Sequence, residues 1–207
     1  MIRAFVLHSP GRRLGWLLFL ALGSVAAASL GHVLKPVFLE GVTDLPGLPF
    51  VALCRWDAGW YGSIASDGYF FVPGQQSPVA YFPLYPMLIR AVTWLGVNRW
   101  VAGTVLTFLA GVSALLLFQR WLSKVAPAQS ATAWLLLVSY PYACYLYGVV
   151  YSDALFLLLV VAAFYALESD SPIGAAVLGA FATACRPVAP ALVLGLVVRS
   201  LERRRKA

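Results

Sequence analysis

The sequence contains few charged residues. Only 11% of its 207 residues are Asp, Glu, Lys or Arg, and 61% are hydrophobic, whereas an ordinary soluble domain has about 25% charged and about 45–50% apolar residues. The apolar residues form stretches close to the roughly 20 residues that one helical crossing of a bilayer needs. This composition argues against a soluble fold and predicts an all-α, polytopic helical membrane protein.

Cysteine is also scarce. The three cysteines, Cys54, Cys144 and Cys185, form neither an even set nor a CxxC pair. They therefore give no support to a disulfide framework or to a cysteine metal cluster, and we expect buried, free thiols. The sequence shows no internal repeat and no second domain.

Acidic residues are outnumbered by basic ones, 8 against 15, which gives a formal net charge of +7. Such a balance could indicate nucleic-acid binding, but the basic residues flank the apolar stretches. This placement is typical of membrane helices oriented by cytoplasmic positive charge. We therefore expect membrane lipids, and no nucleic acid, as partners. The flanking basic residues are Arg3, Arg12, Arg13, Arg120, Lys124, Arg199 and Arg203 to Lys206.

Five apolar stretches predict the membrane segments of a single domain. The first is favoured as an uncleaved anchor with a cytoplasmic amino terminus, over a signal peptide cleaved after the small residues 26–28. Pro141 is expected to kink or end the third stretch. The stretches are residues 14–34, 100–119, 131–148, 152–167 and 173–198.

The last stretch contains Arg186, Pro187 and Pro190. A single crossing would leave the basic tail 199–207 outside, against the positive-inside tendency. A re-entrant pair of half-helices broken near Arg186 is therefore favoured over a plain span. The total becomes five to six membrane segments.

The first loop, residues 35–99, is rich in Pro, Gly, Trp and Tyr, with seven aromatic residues between Phe50 and Phe71. Loops longer than about 12–15 residues are usually functional or disordered, and the aromatic content argues against disorder. The loop is expected outside, with short juxtamembrane helices over 57–67 and 83–95.

The segment from Arg55 to Tyr61 is the main candidate for chemistry. A carboxylate such as Asp57, in an aromatic-lined cleft, can act as a general base. Trp56, Trp60 and Tyr61 offer flat surfaces for sugar rings. The alternative is that Asp57 caps the helix while the aromatics form an interfacial belt.

Two further motifs carry candidate residues. The Tyr81–Pro86 segment, which contains Tyr85, is interpreted as a rigid helix entry more than as a substrate contact. Asp153, after Tyr151 and Ser152, is a candidate because ionisable groups at membrane helix ends are often functional. A cap at Ser152 with a dipole-compensating acid explains that motif equally well.

Arg186 is the most prominent isolated residue. An arginine in an apolar run is costly unless it faces a polar cavity, pairs with an acid or binds an anion such as phosphate. An ion pair with Asp153 or Asp57 is the structural alternative.

Three segments together resemble the PIG-V-type mannosyltransferases, a family that includes GPI mannosyltransferase 2 and bacterial relatives. The resemblance covers roughly residues 50–190. Its motifs are Arg55 to Tyr61 followed by Gly68-Tyr69, Tyr81 to Pro86, and Tyr151 to Phe156. Family members are usually longer, so we expect a short or truncated member.

The resemblance implies a GT-C-like membrane fold that transfers mannose or a related sugar, with inversion, from a polyprenyl-phosphate donor to a lipid or glycan acceptor. Asp57 would be the catalytic base and Arg186 the phosphate ligand. Arg55, Trp56, Trp60, Tyr61, Tyr85 and Asp153 are the other substrate-binding candidates. No cofactor and no metal ion are expected.

The expected location is a bacterial plasma membrane, with the catalytic loop outside. Two alternatives stay open. One is a non-catalytic subunit that needs a second membrane subunit, and the other is a small transporter or lipid flippase, suggested by the broken helix.

Overall fold

The computed structural model describes residues 10–34 and 44–206, and this part of the chain is helical without β-strands. The predicted all-α class is confirmed. Residues 35–43 of the first loop lie outside the described residues, as do 1–9 and 207. The helices are α1 (Pro10–Leu34), α2 (Phe50–Leu53), α3 (Ala58–Asp67), α4 (Leu84–Thr93), α5 (Arg99–Val125), α6 (Ser130–Val138), α7 (Asp153–Glu168), α8 (Pro172–Thr183) and α9 (Ala189–Lys206), with 3₁₀ segments at Pro78–Ala80 and Pro141–Leu146.

Two of the described helices are long and apolar enough to cross a membrane. They are α1 over Gly15–Leu34 and all of α5, with mean hydropathies of 2.0 and 2.2. Helix α5 continues past residue 119, where the predicted segment ended, because no helix-breaking residue occurs before Pro127. The apolar helices support membrane association of this chain.

The two stretches that contain internal prolines are interrupted. Residues 131–148 do not form one continuous α-helix, because α6 ends at Val138 and a 3₁₀ segment begins at Pro141. Proline lacks the N–H that would continue the ladder, as the sequence predicted. The break predicted near Arg186 is also present, between α8 and α9. Most of the predicted basic tail, residues 199–206, continues α9 as helix.

Helices α5 and α7 form the most extensive helix pair of the structure. The second 3₁₀ segment lies directly on α5 at Gly111. A Cβ atom at this position would lie 2.0 Å from the carbonyl oxygen of Leu146, so only glycine permits this approach. The chain that leads into α7 is thereby fixed against α5.

The two short helices predicted in the first loop are present as α3 and α4. They pack over a core in which Tyr85, Ile89 and Trp100 are almost fully buried. The Arg90 guanidinium on α4 donates from Nε to the carbonyl of Ala65 at 2.6 Å, near the end of α3. Cations near a helix C-terminus stabilise its last carbonyls, so α4 holds α3 in place.

Candidate functional site

Asp57 lies immediately before α3, and its side chain does not cap that helix. The carboxylate instead accepts a hydrogen bond from the Tyr81 hydroxyl at 3.0 Å. The Asp57 backbone N–H donates to the Tyr151 hydroxyl at 3.3 Å. The alternative that Asp57 is a side-chain N-cap is therefore wrong. Asp57 is also exposed, so its carboxylate is within reach of a solute.

The three sequence motifs meet around Asp57. Tyr81 opens the second motif and Tyr151 opens the third, and both hydroxyls contact Asp57. The second motif also reaches the α8–α9 break, because the N–H of Leu84 donates to the carbonyl of Ala184 at 2.9 Å. Four segments that are distant in the sequence therefore form one site.

Arg55 and Trp56 lie on the side of the site that faces α1. Arg55 is half-buried, and its Nη2 donates to His32 Nδ1 at 3.1 Å. Trp56 has a φ of 46°, and its side chain is 64% exposed. A non-glycine residue in this left-handed region is uncommon, and such residues cluster at functional sites. The turn projects the indole outward immediately before Asp57.

Trp60 belongs to an aromatic stack beside Asp57. Its ring lies 5.7 Å from that of Tyr81, with an interplanar angle of 18°, and 6.4 Å from that of Phe70. Tyr69 secures this arrangement, because its hydroxyl donates to the Tyr81 carbonyl at 2.5 Å. The stack holds the Tyr81 hydroxyl in position for the carboxylate.

Tyr61 and Tyr85 are not placed to contact a substrate. Tyr85 is fully buried, and its hydroxyl lies 2.6 Å from Thr107 Oγ1 and 3.0 Å from the Gly103 carbonyl. Tyr61 is 8% exposed, and its hydroxyl lies 2.8 Å from Ser152 Oγ. This burial gives no support to the predicted substrate-binding roles of the two residues. They support the site from inside, because their phenols already have partners.

Asp153 and Arg186 form an ion pair with each other. Their side chains are 40% and 33% exposed, so the pair lies at the edge of the site. This is the structural alternative that the sequence left open for Arg186. The side chain of Ser152 makes no capping hydrogen bond to α7, so the predicted side-chain cap at Ser152 is wrong and the residue serves Tyr61 instead.

The tyrosines that contact Asp57 remain protonated at neutral pH. Burial raises the pKa of Tyr81 above its ordinary value, and the hydrogen bond to the Asp57 carboxylate raises it further. Burial raises the pKa of Tyr151 to about 12, although the hydrogen bond from the Asp57 N–H acts to lower this pKa. Tyr81 therefore keeps its proton and remains a hydrogen-bond donor to the Asp57 carboxylate.

Tyr81, Tyr151 and Ser152 were not among the predicted site residues. The motifs that contain them were recognised, but nothing in the local pattern distinguishes Tyr81 from Tyr85 as the partner of Asp57. The available signal was that Tyr81 and Tyr151 each lie just before a predicted helix. Only the packing of the segments selects one tyrosine over another.

The site offers the exposed carboxylate of Asp57, the phenols of Tyr81 and Tyr151 and the guanidinium of Arg55, together with the Asp153–Arg186 ion pair. Within residues 10–34 and 44–206, no three His, Cys, Asp or Glu side chains come close enough to hold a metal ion. No family model, curated protein or solved structure matches the chain.

Proposed function

We propose that this protein is a glycosyltransferase that moves a mannosyl or related sugar from a polyprenyl-phosphate donor to a lipid or glycan acceptor. The observation that carries the proposal is the position of Asp57, an exposed carboxylate oriented by Tyr81 in an aromatic setting. The resemblance of its three motifs to PIG-V-type mannosyltransferases supplies the substrate class. Aromatic faces such as Trp56 and Trp60 suit sugar rings.

Asp57 acts as the general base in this proposal. It takes the proton of an acceptor hydroxyl while that oxygen attacks the anomeric carbon from the face opposite the lipid phosphate. The new glycosidic bond forms as the bond from the anomeric carbon to the phosphate oxygen breaks, and its electron pair leaves with the phosphate. The configuration at the anomeric carbon is inverted, through an oxocarbenium-like state.

Tyr81 and the backbone around Asp57 orient the base. The phenol of Tyr81 holds one carboxylate oxygen at 3.0 Å, which leaves the other oxygen for the acceptor. Tyr151 fixes the adjacent backbone through the Asp57 N–H. Such positioning is how an enzyme reduces the orientational cost of a proton transfer.

The proposal includes a multi-pass topology in a bacterial plasma membrane. The segments would be α1, α5, the unit of α6 with its 3₁₀ extension, α7, and the α8–α9 pair, which gives five to six. The amino terminus and the basic end of α9 would face the cytoplasm, and Asp57 the outside.

The test is transfer of radiolabelled mannose from polyprenyl-phosphate mannose to membrane acceptors by the purified chain in lipid. Asp57→Asn is expected to lower the rate by about 10²–10⁴-fold, the usual contribution of a general base. Asp67→Asn is the matched control, because Asp67 is an exposed acid at the other end of α3. Equal rates for the Asp57 variant and the wild type would reject the assignment, and transfer by neither would favour the subunit alternative.

A further inference from the structure

A cavity of about 400 Å³ lies between α1 and the first loop. Its volume is within the range of about 300–1,000 Å³ that is typical of ligand sites. Small residues of α1, Ala27, Ala28 and Gly31, form one wall, and Leu53 and Tyr145 contribute to the opposite wall. Walls of this kind suit a hydrocarbon chain, because burying apolar surface is the main gain that they offer a ligand.

Arg55 is the charged residue in the wall of this cavity. In the described part of the chain, the one hydrogen bond of the Arg55 guanidinium goes to His32, and its Nε–H is buried without a partner. No described carboxylate lies within ion-pair distance of it, whereas Arg186 is paired with Asp153. A guanidinium in an apolar setting is stabilised by an anion, and its planar fork matches a phosphate.

The cavity adjoins the carboxylate that we propose as the base. Trp56 lines the cavity and directly precedes Asp57. Tyr145 lines it from the other side, and its ring stacks on that of Tyr151 with centroids 5.4 Å apart. Tyr151 in turn accepts a hydrogen bond from the Asp57 N–H. A lipid headgroup at Arg55 would therefore lie beside the reacting groups.

We infer that this cavity binds the isoprenoid chain of a lipid phosphate, with the phosphate on Arg55. The identity of the lipid rests on the proposed function, and the site itself rests on the cavity and its arginine. This inference moves the phosphate from Arg186, where the sequence placed it, to Arg55. An ordinary anionic phospholipid shares the chain and the charge, and it is distinguished by the experiment.

Cys144 provides a reporter inside the cavity. It lines the wall and is only half-buried, whereas Cys54 and Cys185 are buried. Burial also raises the pKa of Cys54 to about 12, which suppresses its thiolate and hence its reactivity. Modification of Cys144 by N-ethylmaleimide is followed by mass spectrometry on the full chain in phosphatidylcholine nanodiscs, with farnesyl phosphate as the probe.

Farnesyl phosphate is expected to slow the modification of Cys144, and farnesol at the same concentration is not. Arg55→Gln should raise the half-protecting concentration about tenfold or more, because charge-assisted hydrogen bonds are lost. Arg120→Gln is the matched control, since Arg120 is exposed near the C-terminal end of α5 and does not line the cavity. Ala28→Leu fills the cavity and should abolish protection in a chain with unchanged thermal unfolding.

Equal protection by phosphatidylglycerol would overturn the inference, because the cavity would then hold an ordinary membrane lipid. An unchanged half-protecting concentration in Arg55→Gln would also overturn it. The assay does not depend on sugar transfer. Protection without transfer would keep the lipid-phosphate site and reject the proposed enzyme, whereas transfer without protection would do the reverse.

Discussion

The two ends of helix α7 each carry an acid that faces arginine, yet they differ in what the arginine is needed for. Asp153 lies in the first turn and pairs with Arg186. Glu168 lies in the last turn, where its Oε1 contacts Arg199 Nε at 2.5 Å. A helix dipole stabilises an acid in the first turn and destabilises one in the last.

The ion pairs at the two ends of α7 therefore have different explanations. At Glu168, Arg199 and Arg203 offset the unfavourable interaction of the carboxylate with the helix dipole. The stability of the fold is enough to explain these contacts. Asp153 needs no such help, and its end of α7 is surrounded by the phenols of Tyr61 and Tyr151. The Asp153 end of α7 is therefore the end that adjoins the candidate site around Asp57.

Apart from Asp57→Asn, the largest expected effect comes from comparing two tyrosines, Tyr81 beside Asp57 and Tyr165 near the far end of α7. Tyr81→Phe removes the hydrogen bond to the Asp57 carboxylate but keeps the stack on Trp60. A hydrogen bond to a charged group contributes about 1.5–3 kcal/mol, so kcat for mannose transfer should fall about tenfold or more. The measurement is the initial rate, together with thermal unfolding to show an intact fold.

Tyr165→Phe is the control for that prediction. Tyr165 lies near the far end of α7, where the Lys124 ammonium is 4.7 Å from its ring centroid. Removing its hydroxyl leaves the ring and should leave the rate unchanged. A comparable loss in both variants would contradict a specific role for Tyr81.

The next effect compares the two acids of α7. Glu168 is 11% exposed and faces two arginines, so Glu168→Gln should lower the free energy of unfolding by about 1–2 kcal/mol. Asp153→Asn should cost about 1 kcal/mol or less, because that pair is more exposed. Chemical unfolding in detergent measures both, and a larger loss for Asp153→Asn would reverse the comparison.

Two serines that flank α7 give a smaller effect. Ser152→Ala leaves the buried Tyr61 hydroxyl without its partner at 2.8 Å and should cost about 1 kcal/mol of unfolding free energy. Ser169→Ala removes an exposed hydrogen bond from Lys124 at 2.7 Å. It should change the free energy of unfolding by no more than about 0.5 kcal/mol. Similar losses of unfolding free energy in the two variants would show that the burial of the Tyr61–Ser152 contact adds nothing to its contribution.

The smallest expected effect concerns Asp44, an acid of the first loop with both a cation and an aromatic donor. Burial acts to raise its pKa, but hydrogen bonds from Trp100 and Arg99 outweigh this and leave the pKa lowered. A lowered folded pKa gives stability that is present above the unfolded value, about 3.9, and is lost as the pH falls through the folded value.

Asp44→Asn should accordingly lower the free energy of unfolding at pH 7 by about a few tenths of a kcal/mol, the usual contribution of an exposed pair. The melting temperature should therefore be slightly lower than that of the wild type. The difference between wild type and variant should shrink below about pH 4. Melting curves from pH 7 to pH 3 test this, and a difference that grows on acidification would contradict the sign.

The candidate site could be predicted only in part. The segment around Asp57 was identified because an acid among aromatics before a helix is a local pattern. The role of Tyr81 could not be, because its contact with Asp57 joins residues 24 positions apart. Tyr85 was chosen instead and is fully buried, since burial depends on which helices pack together.

The amino-acid sequence by itself determined the helical class, the two long apolar helices and the breaks at Pro141 and near Arg186. These are local properties, set by hydrophobicity over about 20 residues and by the missing N–H of proline. Only the tertiary structure decided the partners: Tyr81 for Asp57, Asp153 for Arg186, and an apolar cavity for Arg55. Such pairings depend on distances between segments, which are fixed by packing and not by any single stretch of chain.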